Sequence, residues 1–114
     1  MHKDWSKLTQ ELSGLMGQVH KGIPEVGQGF SQMAKGATQE GALSPKHKEL
    51  MAVAISIAVR CDGCIGFHVK AAHKHGATRE EMMEVIGMAM YMGGGPSFVY
   101  GAQALEAYDQ FAGA

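Results

Sequence analysis

The stretch Ser44-Pro45-Lys46-His47-Lys48-Glu49-Leu50-Met51-Ala52-Val53-Ala54-Ile55-Ser56-Ile57-Ala58-Val59-Arg60 decides the fold class. In its second half Val53, Ile55, Ile57 and Val59 alternate with Ala52, Ala54, Ser56 and Ala58. Such alternation of large and small, rich in β-branched residues, is how a buried strand reads. The opening of the stretch points the other way. Ser44 is a favourable N-cap, and Pro45 suits the first helical position, where an amide hydrogen would have no partner anyway. The length, from Lys46 to about Arg60, also suits a helix better than a strand. Start signal and length together favour a helix buried nearly all round, with a strand as the alternative.

Upstream, residues 4–18 read as a first helix, with Leu8, Leu12, Leu15 and Val19 at helical spacing. Pro24 begins a second segment to about Gly36, carrying Val26, Phe30, Met33 and Ala34 and weakened by Gly27 and Gly29. Downstream, a helix follows Cys61-Asp62-Gly63-Cys64 as far as His75 and is stopped by Gly76. Thr78-Arg79-Glu80-Glu81 is a capping box for the next helix, which carries Met82, Met83, Val85, Ile86, Ala89 and Met90. Gly93-Gly94-Gly95-Pro96 breaks it, and Ser97 to Phe111 forms a last helix with Val99, Ala102, Leu105 and Tyr108 on one face. The expectation is an all-α fold, a compact helical bundle of five to six helices in a single domain over residues 1–114.

Composition excludes several function classes. Apolar residues make up 46% of the 114, as in a globular chain. A formal net charge of −1 lacks the clustered Lys and Arg of a nucleic-acid binder. The longest apolar run, Leu50 to Val59, is interrupted only by Ser56 and falls far short of the roughly 20 residues a membrane span needs. Met1-His2-Lys3-Asp4-Trp5-Ser6-Lys7 has no apolar centre and does not read as a secretory signal, so a cytoplasmic location is expected. Two cysteines three residues apart are too few for a disulfide scaffold. In a reducing compartment such a pair is more often catalytic or metal-binding.

The chemistry therefore centres on Cys61-Asp62-Gly63-Cys64-Ile65-Gly66-Phe67-His68. Spacings of three, four and seven put Cys61, Cys64 and His68 on one stripe of a helix that begins near Cys61. A thiolate is the nucleophile, and a helix N-terminus favours it over the thiol. An imidazole one turn on can take the proton, and the second cysteine can resolve the oxidised first into a disulfide. Gly63 and Gly66 leave room for a second thiol or a substrate. Glu49 is the candidate carboxylate behind the imidazole: if the chain turns back near residue 60, it lands beside residues 68–71. Taken alone, Glu49 would be a surface charge and His68 a plain histidine; the spacing is what raises them. His73, Lys74 and His75 complement a helix C-terminus, and Glu80, Glu81 and Glu84 form a solvated face. The tyrosines pack, and the Met stripe at 82, 83, 88, 90 and 92 is core or subunit contact.

Glu49, eleven residues, then Cys61-x-x-Cys64-x-x-x-His68, followed by Gly76-Ala77-Thr78 and another helix, resembles the alkylhydroperoxidase D-like (AhpD-like) branch of the carboxymuconolactone decarboxylase family over about residues 43–111. The resemblance implies helix over 50–59 and a homo-oligomer, often a trimer or hexamer. It implies reduction of a peroxide or disulfide substrate by the cysteine pair, with Glu49 and His68 as a proton relay and no cofactor. Re-reduction would come from a dithiol such as a lipoyl protein, or the chain would serve a peroxiredoxin. The peroxidase members carry a histidine between the cysteines, where this chain has Asp62-Gly63. A carboxylate beside Cys61 raises a thiol pKa, so dithiol–disulfide exchange is expected ahead of peroxidase activity.

Four rival readings stand beside this one. A thioredoxin-like fold would use residues 51–59 as a strand but finds no other strands to pair with. A zinc site on Cys61, Cys64, His68 and perhaps Glu49 would place three ligands on one stripe, which suits tetrahedral closure poorly. A decarboxylase-type lyase belongs to the wider family but generally lacks the cysteine pair. A helical protein that only assembles would use the methionines and not the thiols.

Overall fold

A computed structural model describes residues 1–113 and places six helices in order: α1 Trp5–Gly22, α2 Pro24–Thr38, α3 Pro45–Ala58, α4 Asp62–Lys74, α5 Arg79–Gly93 and α6 Gly95–Phe111. Among the described residues none lies in a strand, so the 50–59 stretch is helix and the thioredoxin-like rival has no sheet. The start signals work as the residue types dictate. Ser44 Oγ accepts the His47 amide at 3.2 Å, Asp4 caps α1 through the Lys7 amide at 3.1 Å, and Thr78 and Glu81 exchange both capping-box bonds.

Two helix ends, those of α3 and α4, close in the same way on a residue at positive φ. Gly76, at φ 92°, closes α4, with the Ala77 amide donating to Ala72 O and the Gly76 amide to His73 O. The same pattern closes α3: the Cys61 amide reaches Ser56 O and the Arg60 amide reaches Ile57 O. Here the left-handed residue is Arg60, at φ 58°. A side chain in that conformation costs on the order of 1 kcal/mol. Arg60→Gly is therefore expected to raise the unfolding free energy by about 0.5–1 kcal/mol, read by urea denaturation. An unchanged or lower value would show that the Arg60 side chain contributes more than its backbone costs.

The core lies between α3, α4, α5 and α6, with the first turns of α1 laid over it. Its fully buried large side chains are Trp5, Val53, Ile57, Ile65, Val69 and Met82. Two sequence expectations need correction. The helix α3 is not buried all round: Leu50, Val53 and Ile57 face the core, while Met51, Ile55 and Val59 are 51%, 60% and 63% exposed along one stripe. The alternation of large and small thus splits Val53 and Ile57 from Ile55 and Val59, onto two sides of one helix. On α6 the core face is Ser97, Gly101, Ala104, Ala107 and Tyr108, while Val99 is exposed. The reason is close approach: a Cβ at Gly101 would lie 2.6 Å from Ile86 Cγ2, so α5 and α6 meet across small residues. Likewise α1 leaves Leu15 and Val19 exposed beyond its first turns, and α2 has no buried residue. Of the Met stripe, Met82 is core and Met90 packs against it, while Met83, Met88 and Met92 are exposed.

Candidate redox site

The turn at Arg60–Cys61 folds α4 back against α3. Cys61 becomes the N-cap of α4: its Sγ accepts the Cys64 amide at 3.1 Å. The two cysteines, 5.2 Å apart at Cα, are joined as a disulfide. The Cys61 sulfur thus caps a helix N-terminus, with the Cys64 sulfur bonded to it, where partial positive charge favours a thiolate.

One turn on, His68 Nδ1 and Glu49 Oε1 are 2.8 Å apart. This contact joins α4 to α3, as the fold-back near residue 60 requires. The Glu49 side chain is 8% exposed and that of His68 37%, so the carboxylate is internal and the imidazole reaches the surface. An ionised carboxylate only accepts, so it selects the tautomer with hydrogen on Nδ1 and leaves the Nε2 lone pair free. Helical side chains lean toward the N-terminus, the direction in which Cys64 lies one turn away. The structure joins these residues as two pairs, Cys61 with Cys64 by a covalent bond and His68 with Glu49 by a hydrogen bond.

Other features of the site have no counterpart in the spacing. The room at Gly63 and Gly66 is taken by α1, not left for a substrate. A Cβ at Gly63 would lie 2.8 Å from Leu12 Cδ1, and one at Gly66 would lie 2.7 Å from Thr9 Cγ2 and 3.3 Å from Trp5 Cε3. The glycines allow helix to meet helix. The second feature is Lys3, whose Nζ pairs with Asp62 Oδ2 at 2.6 Å. The carboxylate beside Cys61 is therefore paired with a cation almost sixty positions away in sequence.

Lys3 is held by a strap. The Lys3 amide and the Trp5 indole N–H donate to Glu106 Oε1 at 3.0 and 2.9 Å. The His2 amide donates to Glu106 Oε2, and Gln110 receives the Trp5 amide while donating to Lys3 O. Burial pushes the Glu106 carboxyl upward, but the hydrogen bonds from His2, Trp5 and Lys3 outweigh it and hold the pKa below its ordinary value. The tether is thus at full strength at neutral pH and is lost as pH falls through that lowered value. Two neighbouring glycines three apart were the available signal for a close helix; nothing in the spacing pointed to Lys3.

Among the described residues no three His, Cys, Asp or Glu side chains come together as a metal-holding group, and no helix is long and apolar enough to cross a membrane.

Fold and site together define an all-helical protein with a cysteine pair at a helix head and a carboxylate–imidazole couple one turn behind it. The chain belongs to the carboxymuconolactone decarboxylase family, whose profile matches residues 24–107. It is 37% identical to an uncharacterized protein of Cupriavidus necator over 96% of both chains. It is 33% identical to uncharacterized protein 4 in the cox locus of Paracoccus denitrificans, over 91% of this chain and 94% of that one. The structure superposes on that of apo-lpg0406, a family member from Legionella pneumophila, with TM-score 0.92 and 48% identity over 95% and 96% of the two chains. It also resembles a family protein of Thermotoga maritima for which a part in an antioxidative response has been suggested, with TM-score 0.80 and 26% identity over 97% and 92%.

Proposed function

We propose that this chain is a thiol–disulfide oxidoreductase of the alkylhydroperoxidase D-like kind, with Cys61 and Cys64 as the redox pair and Glu49–His68 as the proton relay. The observation that carries this reading is the buried Glu49 hydrogen-bonded to His68 one turn behind two joined sulfurs. A carboxylate held out of water beside a histidine supports the imidazolium that forms when a thiol loses its proton.

In the reduced pair His68 Nε2 takes the Cys64 proton. With a hydroperoxide, the Cys64 thiolate attacks the terminal oxygen: an S–O bond forms, the O–O bond breaks, and the leaving alkoxide takes the proton from His68. The Cys61 thiol then attacks that sulfur, forming the S–S bond and releasing water. With a disulfide substrate the same two sulfurs act by exchange, and two substrate thiols leave. A dithiol reductant, such as a lipoyl protein, reverses the closure and is itself oxidised; a peroxiredoxin as the protein served is the alternative partner. The cysteine pair argues for redox chemistry over the lyase reaction that names the family. The exposed apolar stripe Met51, Ile55, Val59 on α3 and the uncovered face of α1 and α2 support assembly as a homo-oligomer, for which the resemblance to the AhpD-like branch implies a trimer or hexamer.

The test is stoichiometric. Reduced protein given one equivalent of cumene hydroperoxide, or of a small aryl disulfide, should lose both thiols and close the Cys61–Cys64 bond, seen by mass as the loss of two hydrogens. Cys64→Ser should fail to close it. Reduced protein that leaves both oxidants unconsumed at neutral pH would overturn the reading.

A further inference from the structure

We infer that Lys3 is a positioning residue for the redox pair: by pairing with Asp62 it cancels the carboxylate next to Cys61 and keeps the Cys61 thiolate accessible at neutral pH. The inference rests on the redox reading above and adds a residue to it.

The geometry is specific. Asp62 directly follows Cys61 and occupies the first turn of α4. Left alone, its charge opposes ionisation of Cys61 and works against the helix N-terminus. Lys3 Nζ sits 2.6 Å from Asp62 Oδ2 and also donates to Gln103 Oε1 of α6. It lies 5.6 Å from the centre of the Trp5 ring, and Trp5 is fully buried, so the ammonium is confined on one side by an aromatic face. Its backbone is fixed at both polar groups, the amide to Glu106 and the carbonyl to Gln110. A lysine held by five contacts is poised, not floating.

The other charged groups around this end of α4 make the assignment clearer. His68 is engaged by Glu49 from α3. Arg60 precedes Cys61 and is exposed. Along the groove between α1 and the head of α4, Asp4, Lys7 and Glu11 line the wall with Lys3 and Asp62. Glu106 on α6 is occupied by the strap. Of these, only Lys3 has an ion pair with Asp62.

The test uses the reduced full chain in a Cys64→Ser background, so that one thiol titrates, with iodoacetamide alkylation of Cys61 followed against pH. Lys3→Met should raise the midpoint by about half a unit to one unit, less than a fully buried pair would show because both groups are partly exposed. Asp62→Asn should lower it, the double variant should return close to the parent, and Lys3→Arg should keep the parent value. Midpoints that do not move, or a Lys3→Met shift that Asp62→Asn fails to reverse, overturn the inference; the second result would mark Lys3 as a strap residue only. These are differences between variants, whereas the redox reading stands on the absolute midpoint of the unaltered pair, so the two fail separately.

Discussion

Replacing His68 with Ala is expected to slow oxidative closure of the Cys61–Cys64 pair by a factor on the order of 10² to 10⁴ at neutral pH. The ring is the imidazole one helical turn from Cys64, and its orientation is set by the 2.8 Å contact with Glu49. The measurement is the rate of thiol loss after mixing reduced protein with a hydroperoxide. The same variant should also lose stability. Glu49 is 8% exposed, and without His68 it becomes a buried carboxylate lacking its partner, which costs about 1–3 kcal/mol. Glu49→Gln separates the two effects. The amide oxygen still accepts the Nδ1 hydrogen and holds the ring, but it no longer supports the imidazolium. Its rate should fall less than that of His68→Ala, with stability nearly kept. A His68→Ala protein that closes the disulfide at the parent rate would remove the imidazole from the mechanism.

The second large effect falls on stability. Trp5→Ala should lower the unfolding free energy by about 3–5 kcal/mol, the range for emptying a buried aromatic site. Trp5 is 0% exposed, packs over Gly66, and donates its indole N–H to Glu106 at 2.9 Å. Its loss takes from Glu106 the one side-chain donor beside the His2 and Lys3 amides and weakens the strap that presents Lys3, so α1 should loosen from α4. Trp5→Phe, which keeps most of the ring and loses the donor, should cost much less. Chemical denaturation followed by far-UV circular dichroism measures both, since Trp5 is the chain's single tryptophan and cannot serve as a fluorescent reporter of its own removal. A loss under about 1 kcal/mol would mean that α1 does not hold this end of the site.

These two residues show what could be read from the sequence and what could not. Helix starts carry local chemistry, so Ser44-Pro45, Thr78 with Glu81, and Gly76 marked their elements directly. His68 lay at a fixed helical offset from Cys64, and Glu49 needed only one turn at residue 60 to reach it. The burial pattern was harder. The run 50–59 is apolar on every side, so periodicity could not tell that Met51, Ile55 and Val59 face outward. The apolar face read for α6 holds at Leu105 and Tyr108 but not at Val99 and Ala102, because tight packing there favours Gly101 and Ala104. Trp5 and Lys3 act across the whole length of the chain, on α6 and on the head of α4, and no spacing rule spans that distance. Gly63 and Gly66 held the clue in inverted form: what looked like space for a ligand is the space α1 fills.

The most direct test of the central claim is site-resolved alkylation of the reduced chain by iodoacetamide across pH. One cysteine should react with a midpoint well below the ordinary thiol value of about 8.5, and His68→Ala should move that midpoint upward. If both cysteines titrate near 8.5 and the His68 variant is indistinguishable, the helix head and the imidazole do not activate a thiol, and the proposed chemistry is wrong.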